Sequence, residues 1–380
     1  MKGYINIHIK QLCQLLFISV GLFFGGHVQS QDICTRNLED ARESFEQGRF
    51  IEVDTLLRNC IQRGFTRQER IEALELLALS KLYIDEMEMA DSVYLELLKV
   101  DPEHTVNPLI DPPDLIFLHQ SFRTDPLFTW SASAGLTYSF PALIHSDFIY
   151  PSTTVKYNDQ PAVAVDPTKE YNGGIGFIFS ANLDVVVYRN IYVGSGLNYT
   201  RTNFKYKAQY LRDFYAPVEI EDLYYESTFK QNLDWISVPL YVKYQFNKIK
   251  FRPYALGGVS YNALVRSRQN DLSREKIAGN PETKLERGSA NDIETKNRNN
   301  ISVNLGAGLM YKTNGIDFIV LELRYSRFLK NITSGGTRYG DVENQTNTIL
   351  YGIALDDYGL TSFDVTVKFL RPFYKPKKIK

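Results

Sequence analysis

The feature that most constrains this chain is a set of strand-length segments in which apolar residues occupy every second position. The clearest is Leu233–Phe246, LDWISVPLYVKYQF. Ile236, Val238, Leu240, Val242, Tyr244 and Phe246 share one parity; Ser237, Pro239, Tyr241, Lys243 and Gln245 share the other. Successive side chains of a strand point to opposite faces, so the segment has one apolar face and one mixed, partly charged face. Comparable segments are Phe128–Phe140, Gly174–Tyr188, Ile191–Tyr206, Phe251–Val265, Ile301–Tyr311, Ile316–Phe328 and Ser362–Phe373, which brings the set to eight. Only Phe251–Val265 leaves its parity open.

The connections say which face meets which solvent. Three are tight: Arg189-Asn190, residues 247–250, and Thr313-Asn314-Gly315. Asn-Gly is a strong hairpin signal, because both residues tolerate positive φ. The others, about 141–173, 207–230, 266–300 and 329–361, are long and polar. Short turns on one side and long loops on the other are the asymmetry of a transmembrane barrel. A soluble barrel that buries its apolar face has no reason to make every second turn tight. The expected fold is therefore an all-β, eight-stranded antiparallel transmembrane barrel over residues 127–374, with both chain ends on the short-turn side. The apolar parity then faces lipid, and Asp234 and Trp235 are expected at the outer interface. The 25 Tyr and 23 Phe fit aromatic girdles.

The other parity carries Asp184, Lys243, Glu322, Arg324, Asp364 and Lys368. The interior of an eight-stranded barrel is just wide enough to be filled by side chains. These six residues are expected to form a compensated lumenal charge network, with Glu322 or Asp364 as partner of Lys243. A narrow ion path is the alternative reading of the same residues. The loop 266–300 is rich in charge and poor in apolar residues, and reads as a solvated outer loop.

Before the strands, residues 1–30 read as a signal peptide. Lys2 and Lys10 precede the short apolar run Leu12–Phe24, and Val28-Gln29-Ser30 suits cleavage before Gln31. The run is shorter than the 20 or so residues of a spanning helix. Residues 31–105 change period. Leu38, Ala41 and Phe45, then Val53, Leu56, Leu57 and Cys60, fall at helical steps, with Gly48-Arg49-Phe50 as the break. Thr66 and Glu69 have capping-box spacing ahead of a second helix pair, Arg67–Ile84 and Met87–Val100. Asp101-Pro102 ends that pair, because proline cannot continue a helix. Cys34 and Cys60 would face each other across the first hairpin. In an oxidising compartment they are expected to pair, closing about 26 residues for roughly 3 kcal/mol, the alternative being two buried thiols. The proline-rich stretch 106–126 reads as a semi-rigid tether, with a short helix, Pro113–Phe122, expected to cap the helical stack. Lys375–Lys380, KPKKIK, reads as a disordered basic tail, the alternative being contact with acidic partners or lipid headgroups on the periplasmic side.

Two resemblances follow from quoted residues. Gly48, Phe50, Leu57 and Cys60 in the first helix pair, and Ala90, Tyr94, Leu97 and Pro102 in the second, resemble tetratricopeptide repeats, although Lys81 stands where those repeats usually place an aromatic residue. The stretch WISVPLYVKYQF with FRPYALGGVSYN, VNLGAGLMY and FIVLELRYS resembles the PorT-like outer-membrane β-barrels of the Bacteroidota. Pro239-Leu240, Pro253-Tyr254, Gly257-Gly258 and Gly306/Gly308 carry that pattern. The second resemblance implies residence in the outer membrane, with the helical domain in the periplasm. Some members resemble accessory parts of secretion and gliding machinery.

Chemistry is sparse. No Gly-x-Ser-x-Gly, HExxH, cysteine cluster or P-loop occurs. The histidines after residue 30 are His104, His119 and His145. Only His145, near Ser146 and Asp147, could sit at a barrel rim as part of a lipid- or peptide-hydrolysing site. The net charge of −1 indicates no nucleic-acid partner. The expectation is a non-enzymatic anchor without cofactor or metal. Its partners would be outer-membrane lipid and a periplasmic or outer-membrane protein bound through residues 31–126.

Overall fold

The computed structural model describes residues 28–145, 168–188, 190–211, 224–247, 249–276, 283–313, 315–334 and 356–379. Residues 1–27 of the expected signal peptide, and Ser146 and Asp147, lie outside them. The helices are α1 (Val28–Glu46), α2 (Phe50–Gln62), α3 (Arg67–Tyr83), α4 (Met87–Val100) and α5 (Pro113–Gln120). The strands are β1 (Phe122–Arg123), β2 (Pro126–His145), β3 (Thr168–Tyr188), β4 (Ile191–Leu211), β5 (Tyr224–Gln245), β6 (Phe251–Lys276), β7 (Thr283–Asn291), β8 (Asn299–Lys312), β9 (Phe318–Phe328), β10 (Asp357–Tyr374) and β11 (Lys377–Lys378). The chain divides between Asp125 and Pro126, and again between Phe373 and Tyr374, into a helical unit and a sheet unit.

The helical unit is built on two hairpins. Gly48 turns α1 into α2 at φ 75°, a left-handed conformation that costs glycine nothing. Thr66 caps α3: the Glu69 N–H donates to its Oγ1 at 3.3 Å, and the Thr66 N–H donates to Glu69 Oε2 at 2.8 Å. The core holds Leu38, Ala41, Val53, Leu57, Leu74, Leu77, Tyr94, Leu97 and Leu98. Cys34 and Cys60 are joined as a disulfide, with their Cα atoms 5.6 Å apart. Lys81 is buried and pairs with Asp54 at 3.1 Å and Glu86 at 2.9 Å, so two carboxylates stand in for the aromatic packing expected there.

One expectation about this unit is met and one is corrected. The short helix of 106–126 caps the stack: Leu115 and Leu118 of α5 sit in the helical core. Prolines signal stiffness, but two leucines three residues apart also make a helix face, and the α3–α4 pair buries it. The basic tail is ordered. Lys377 and Lys378 pair antiparallel with Arg123 and Phe122, the Ile379 N–H donates to the Ser121 carbonyl at 2.8 Å, and Lys378 pairs with Asp91. Composition registers only lysines here; the ordering comes from a strand partner some 250 residues earlier in the chain.

In the sheet unit eight strands follow one another around a ring, β2, β3, β4, β5, β6, β8, β9 and β10, with β10 again beside β2. All the registered pairs are antiparallel. The ring is inside-out by the standards of a water-soluble core. Along β9, Leu321 is 51 % exposed between Val320 at 1 % and Glu322 at 2 %. Val238, Leu240, Val242, Leu305, Leu323, Val365 and Val367 are likewise exposed, whereas Asn182, Ser237, Asn262, Asn304 and Thr366 are buried. A continuous apolar exterior of this kind is a lipid-facing surface. Strand β6, whose parity the sequence leaves open, points Phe251, Ala255, Val259 and Tyr261 outward and Arg252, Tyr254, Leu256 and Ser260 inward.

Aromatic rings bracket the apolar band. Phe128 stacks on Phe373 at 4.6 Å and Phe251 lies 5.1 Å from Tyr311 near the short turns. Toward the other end, Phe363 lies 5.1 Å from Tyr325 and 6.2 Å from Phe140. Phe363 and Phe373 are ten residues apart on β10. At about 3.3 Å per residue and a tilt of about 40°, that interval spans about 25 Å, the height of a barrel's apolar band.

Beyond the band the structure again corrects the sequence. Residues expected as loops in 207–230 and 266–300 continue as strands. β4 and β5 stay paired to Leu211↔Tyr224, β5 and β6 to Tyr224↔Lys276, and β7 adds itself to β6 from Arg268↔Asn291 to Glu275↔Thr283. Backbone pairing continues there although the sequence lacks the apolar alternation that reveals the membrane strands. Trp235 is not at a lipid interface: it is 1 % exposed and packs inside the ring with Leu233, whereas Asp234 keeps the outward parity and is covered by Arg201, which donates to it at 2.6 and 2.8 Å. The register shift opposite them makes Val265 an extra residue of β6, between the paired Leu264 and Arg266.

Candidate functional site

The interior of the ring collects the chain's densest polar chemistry, and it contains all six expected lumenal charges. They form two clusters. In the first, Asp184 on β3 pairs with Lys243 on β5 and accepts the Tyr241 hydroxyl at 2.6 Å. The Lys243 ammonium lies over the rings of Tyr192 (4.8 Å) and Tyr254 (5.6 Å). The partner of Lys243 is thus Asp184, and the expectation of Glu322 or Asp364 is corrected. Strands β3 and β5 are second neighbours on either side of β4, and Gly194 of β4 lies opposite Asp184. A Cβ at Gly194 would run into the Asp184 carboxylate and the Tyr241 ring, so the glycine makes the room in which β3 and β5 meet.

In the second cluster Glu322 accepts from Arg324 at 2.8 Å, from Lys368 of β10 at 2.5 Å and from the Tyr254 hydroxyl at 2.5 Å. Asp364 stands opposite Arg324 in the β9–β10 register. Gly308 leaves space for the Tyr254 ring in the same way as Gly194 does for Tyr241. Both tyrosines fall on the polar parity of the sequence, where a large ring with a hydroxyl could have been read as lumen filling.

Two apolar clusters pack with these charges. Interleaved with them and extending toward the short turns lie Tyr241, Tyr254, Leu256, Met310, Phe318, Val320 and Leu370. Toward the long connections lie Phe204, Leu233, Trp235, Leu264, Ile332, Tyr358 and Leu360. Over the second apolar cluster, Asn297 donates to the carbonyls of Asn331 (2.9 Å) and Thr333 (3.0 Å), and the Ile332 N–H donates to Tyr358 O at 2.9 Å. These bonds tie the connecting segments to one another across that end. A cavity of about 30 Å³ remains, lined by Asn198, Thr202, Trp235, Asn304, Arg324 and Asp364 among others. Such a volume holds about one or two waters. Ion pairs the sequence does not reveal include bidentate Arg201–Asp234 at 2.6 and 2.8 Å and the buried Lys169–Asp356 pair. Their partners lie on different strands or in different connections, so no local pattern marks them. His145 ends β2 and is exposed. Among the described residues no group of histidine, cysteine and carboxylates is arranged to hold a metal.

The helical unit carries a second polar group. Tyr94 Oη and His119 Nδ1 are 2.8 Å apart, and His104 Nε2 lies 3.5 Å from Glu75 Oε2. Burial lowers both histidine pKa values; for His104, Asp101 and Asp111 oppose the shift and His119 adds to it. Burial, with Asp111 and Glu72, raises that of Glu75. The sign follows directly. A histidine whose folded pKa lies below its ordinary 6.5 contributes stability that is present above pH 6.5 and lost as pH falls toward the folded value. Glu75 acts oppositely, because its raised pKa lets the folded chain take up a proton first, but only as pH falls toward 4.5. Two histidines act before one carboxyl. The thermal midpoint of the helical unit, followed at 222 nm in the full chain, should therefore drop between about pH 6.5 and 5; a flat profile would contradict the burial of these histidines.

No helix among the described residues is long and apolar enough to cross a membrane, which leaves strands as the crossing elements to consider. A family model described as outer membrane protein beta-barrel domain matches residues 120–334. No curated protein sequence matches the chain. Among solved structures, OprG of Pseudomonas aeruginosa is similar at 11 % identity, covering 66 % of this chain and 98 % of its own, with a TM-score of 0.32. Neisserial surface protein A is similar at 11 % identity, 65 % and 97 % coverage and a TM-score of 0.30. The outer membrane protease OmpT of Escherichia coli is similar at 10 % identity, 67 % and 98 % coverage and a TM-score of 0.27. Likeness at this level transfers no role.

Proposed function

The chain belongs to the outer membrane protein beta-barrel family, and from that premise we propose that it is a non-enzymatic anchor that holds a helical-repeat unit at the periplasmic face for a protein partner. Residence in the outer membrane follows from the family and from the apolar exterior. The observation that carries the rest is the state of the ring's interior. Asp184 is paired with Lys243, Glu322 with Arg324 and Lys368, apolar side chains pack among and beside these pairs, and the cavity lined by Asn198, Arg324 and Asp364 holds about 30 Å³. An interior filled in this way favours the helical unit as the part that meets other proteins. Two stacked hairpins, the first braced by the Cys34–Cys60 disulfide, favour a tetratricopeptide-like reading of that unit. Exposed Ile51, Met87 and Met89 offer apolar contacts on it. The periplasmic side follows from an even strand number with the short turns facing inward. The narrower kinship with PorT-like barrels, and a place beside secretion, gliding or barrel-assembly machinery, rest on the sequence motifs alone.

The test is photo-crosslinking in living cells through residues placed at Ile51 and Met87 of the full chain. One protein adduct of the same mass at both positions is expected. Absence of any protein adduct at either would overturn the anchor reading. Planar-bilayer conductance near zero is expected alongside, and a steady open state would revive the channel.

A further inference from the structure

We propose that the β1–β11 ribbon, with α5 beside it, is a binding surface for anionic phospholipid headgroups. The ribbon presents Arg123, Lys377 and Lys378 on adjacent strands, with Lys375 just before them, all exposed. Lys378 is paired with Asp91, and Arg123 lies 3.9 Å from Asp125. Beside this basic ridge stand two large apolar side chains that the helical core does not use. Ile379 is 61 % exposed, and its backbone is bonded to Ser121; Phe117 is 75 % exposed, and its carbonyl accepts the Ser121 hydroxyl at 3.0 Å. Basic residues around exposed Phe and Ile are the composition of an interfacial membrane contact.

Covalent reach supplies the occupant. Arg123 is three residues before Pro126, where the first ring strand begins, and Lys377 is four residues after Phe373, a lipid-facing ring of the girdle. At no more than 3.6 Å per residue, the two are held within about 11 and about 14 Å of those positions. Covalent connection therefore limits how far the ribbon can lie from the ends of both strands.

The inference rests on the anchor reading for which leaflet is engaged, and on nothing else from it. The test uses the full mature chain in lipid vesicles. Cys34 and Cys60 are bonded to each other, and Cys13 lies in the segment expected to be cleaved, so one introduced cysteine can be labelled alone. A bimane label at Phe117→Cys or Ile379→Cys should be quenched by brominated phospholipid in vesicles containing phosphatidylglycerol. The same label at Ile51→Cys, also exposed, should stay unquenched. Lys375→Glu with Lys377→Glu should lower the quenching, with headgroup affinity falling about thirtyfold or more, the loss expected of two surface lysines. Equal quenching at all three positions, or quenching that ignores phosphatidylglycerol content, would overturn the proposal. The vesicle result is the same whichever way the barrel inserts. A membrane-impermeant maleimide that reacts with Ile51→Cys in intact cells would instead overturn the periplasmic assignment alone.

Discussion

Replacing Glu322 with leucine is expected to cost the barrel about 3–5 kcal/mol, the largest loss from any single lumenal substitution. Glu322 is 2 % exposed and is the one carboxylate bonded to both Arg324 and Lys368, with Tyr254 donating a third hydrogen bond. Leucine fits the volume but leaves two cations in a space that admits about one or two waters. Lys243 cannot compensate, because it is a cation and Asp184 already holds it. The measurement is the urea midpoint of the gel-mobility shift between folded and unfolded barrel. The double variant Glu322→Leu, Lys368→Leu removes a whole ion pair and keeps Arg324 opposite Asp364. It should recover a large part of the loss, since an apolar replacement of a buried pair is often neutral. A single variant with an unchanged midpoint would mean that water reaches the cluster and that the lumen is open.

How much of this was legible in the sequence differs by element. Wherever a strand separates two solvents, the period-two pattern states which face is which. Ile319, Leu321 and Leu323 against Val320, Glu322 and Arg324 is enough to place every side chain of β9. The six lumenal charges were found this way, because only parity was needed. Who pairs with whom was not legible. Lys243 meets Asp184 across an intervening strand, through a gap that depends on Gly194 having no side chain, and parity carries no information about that distance. The bulge at Val265 of β6 was invisible for a related reason. It breaks the period at one point, and a broken period looks like the end of a strand. The hairpin helices announced their caps and core through local spacing, as Thr66 and Glu69 show. The ordered tail did not, because its partner strand lies at the other end of the ring's sequence.

Arginine in place of Leu321 decides whether the apolar exterior faces lipid. In the β9–β10 register Leu321 lies opposite Val367, between the levels of Phe363 and Phe373, and so near the middle of the band. In a water-soluble barrel a half-exposed leucine is a permissive position, and arginine there would change stability by less than about 0.5 kcal/mol. In a bilayer the same side chain must carry its charge to the midplane, at about 2–4 kcal/mol for a lipid-facing strand position. Ile51→Arg in the helical unit supplies the comparison, since Ile51 is 75 % exposed and its unit has no apolar band. The expected result is a pair of unequal shifts in vesicles: a large drop in the barrel's urea midpoint for Leu321→Arg, and little change in the helical unit's for Ile51→Arg. Equal small shifts would remove the membrane from the account of this fold. The contrast also separates the two faces of one strand. Glu322 must stay charged because it is sealed among cations, and Leu321 must stay uncharged because nothing outside it can solvate a charge; the two residues are neighbours in sequence, and the side of the sheet they face sets the opposite demands.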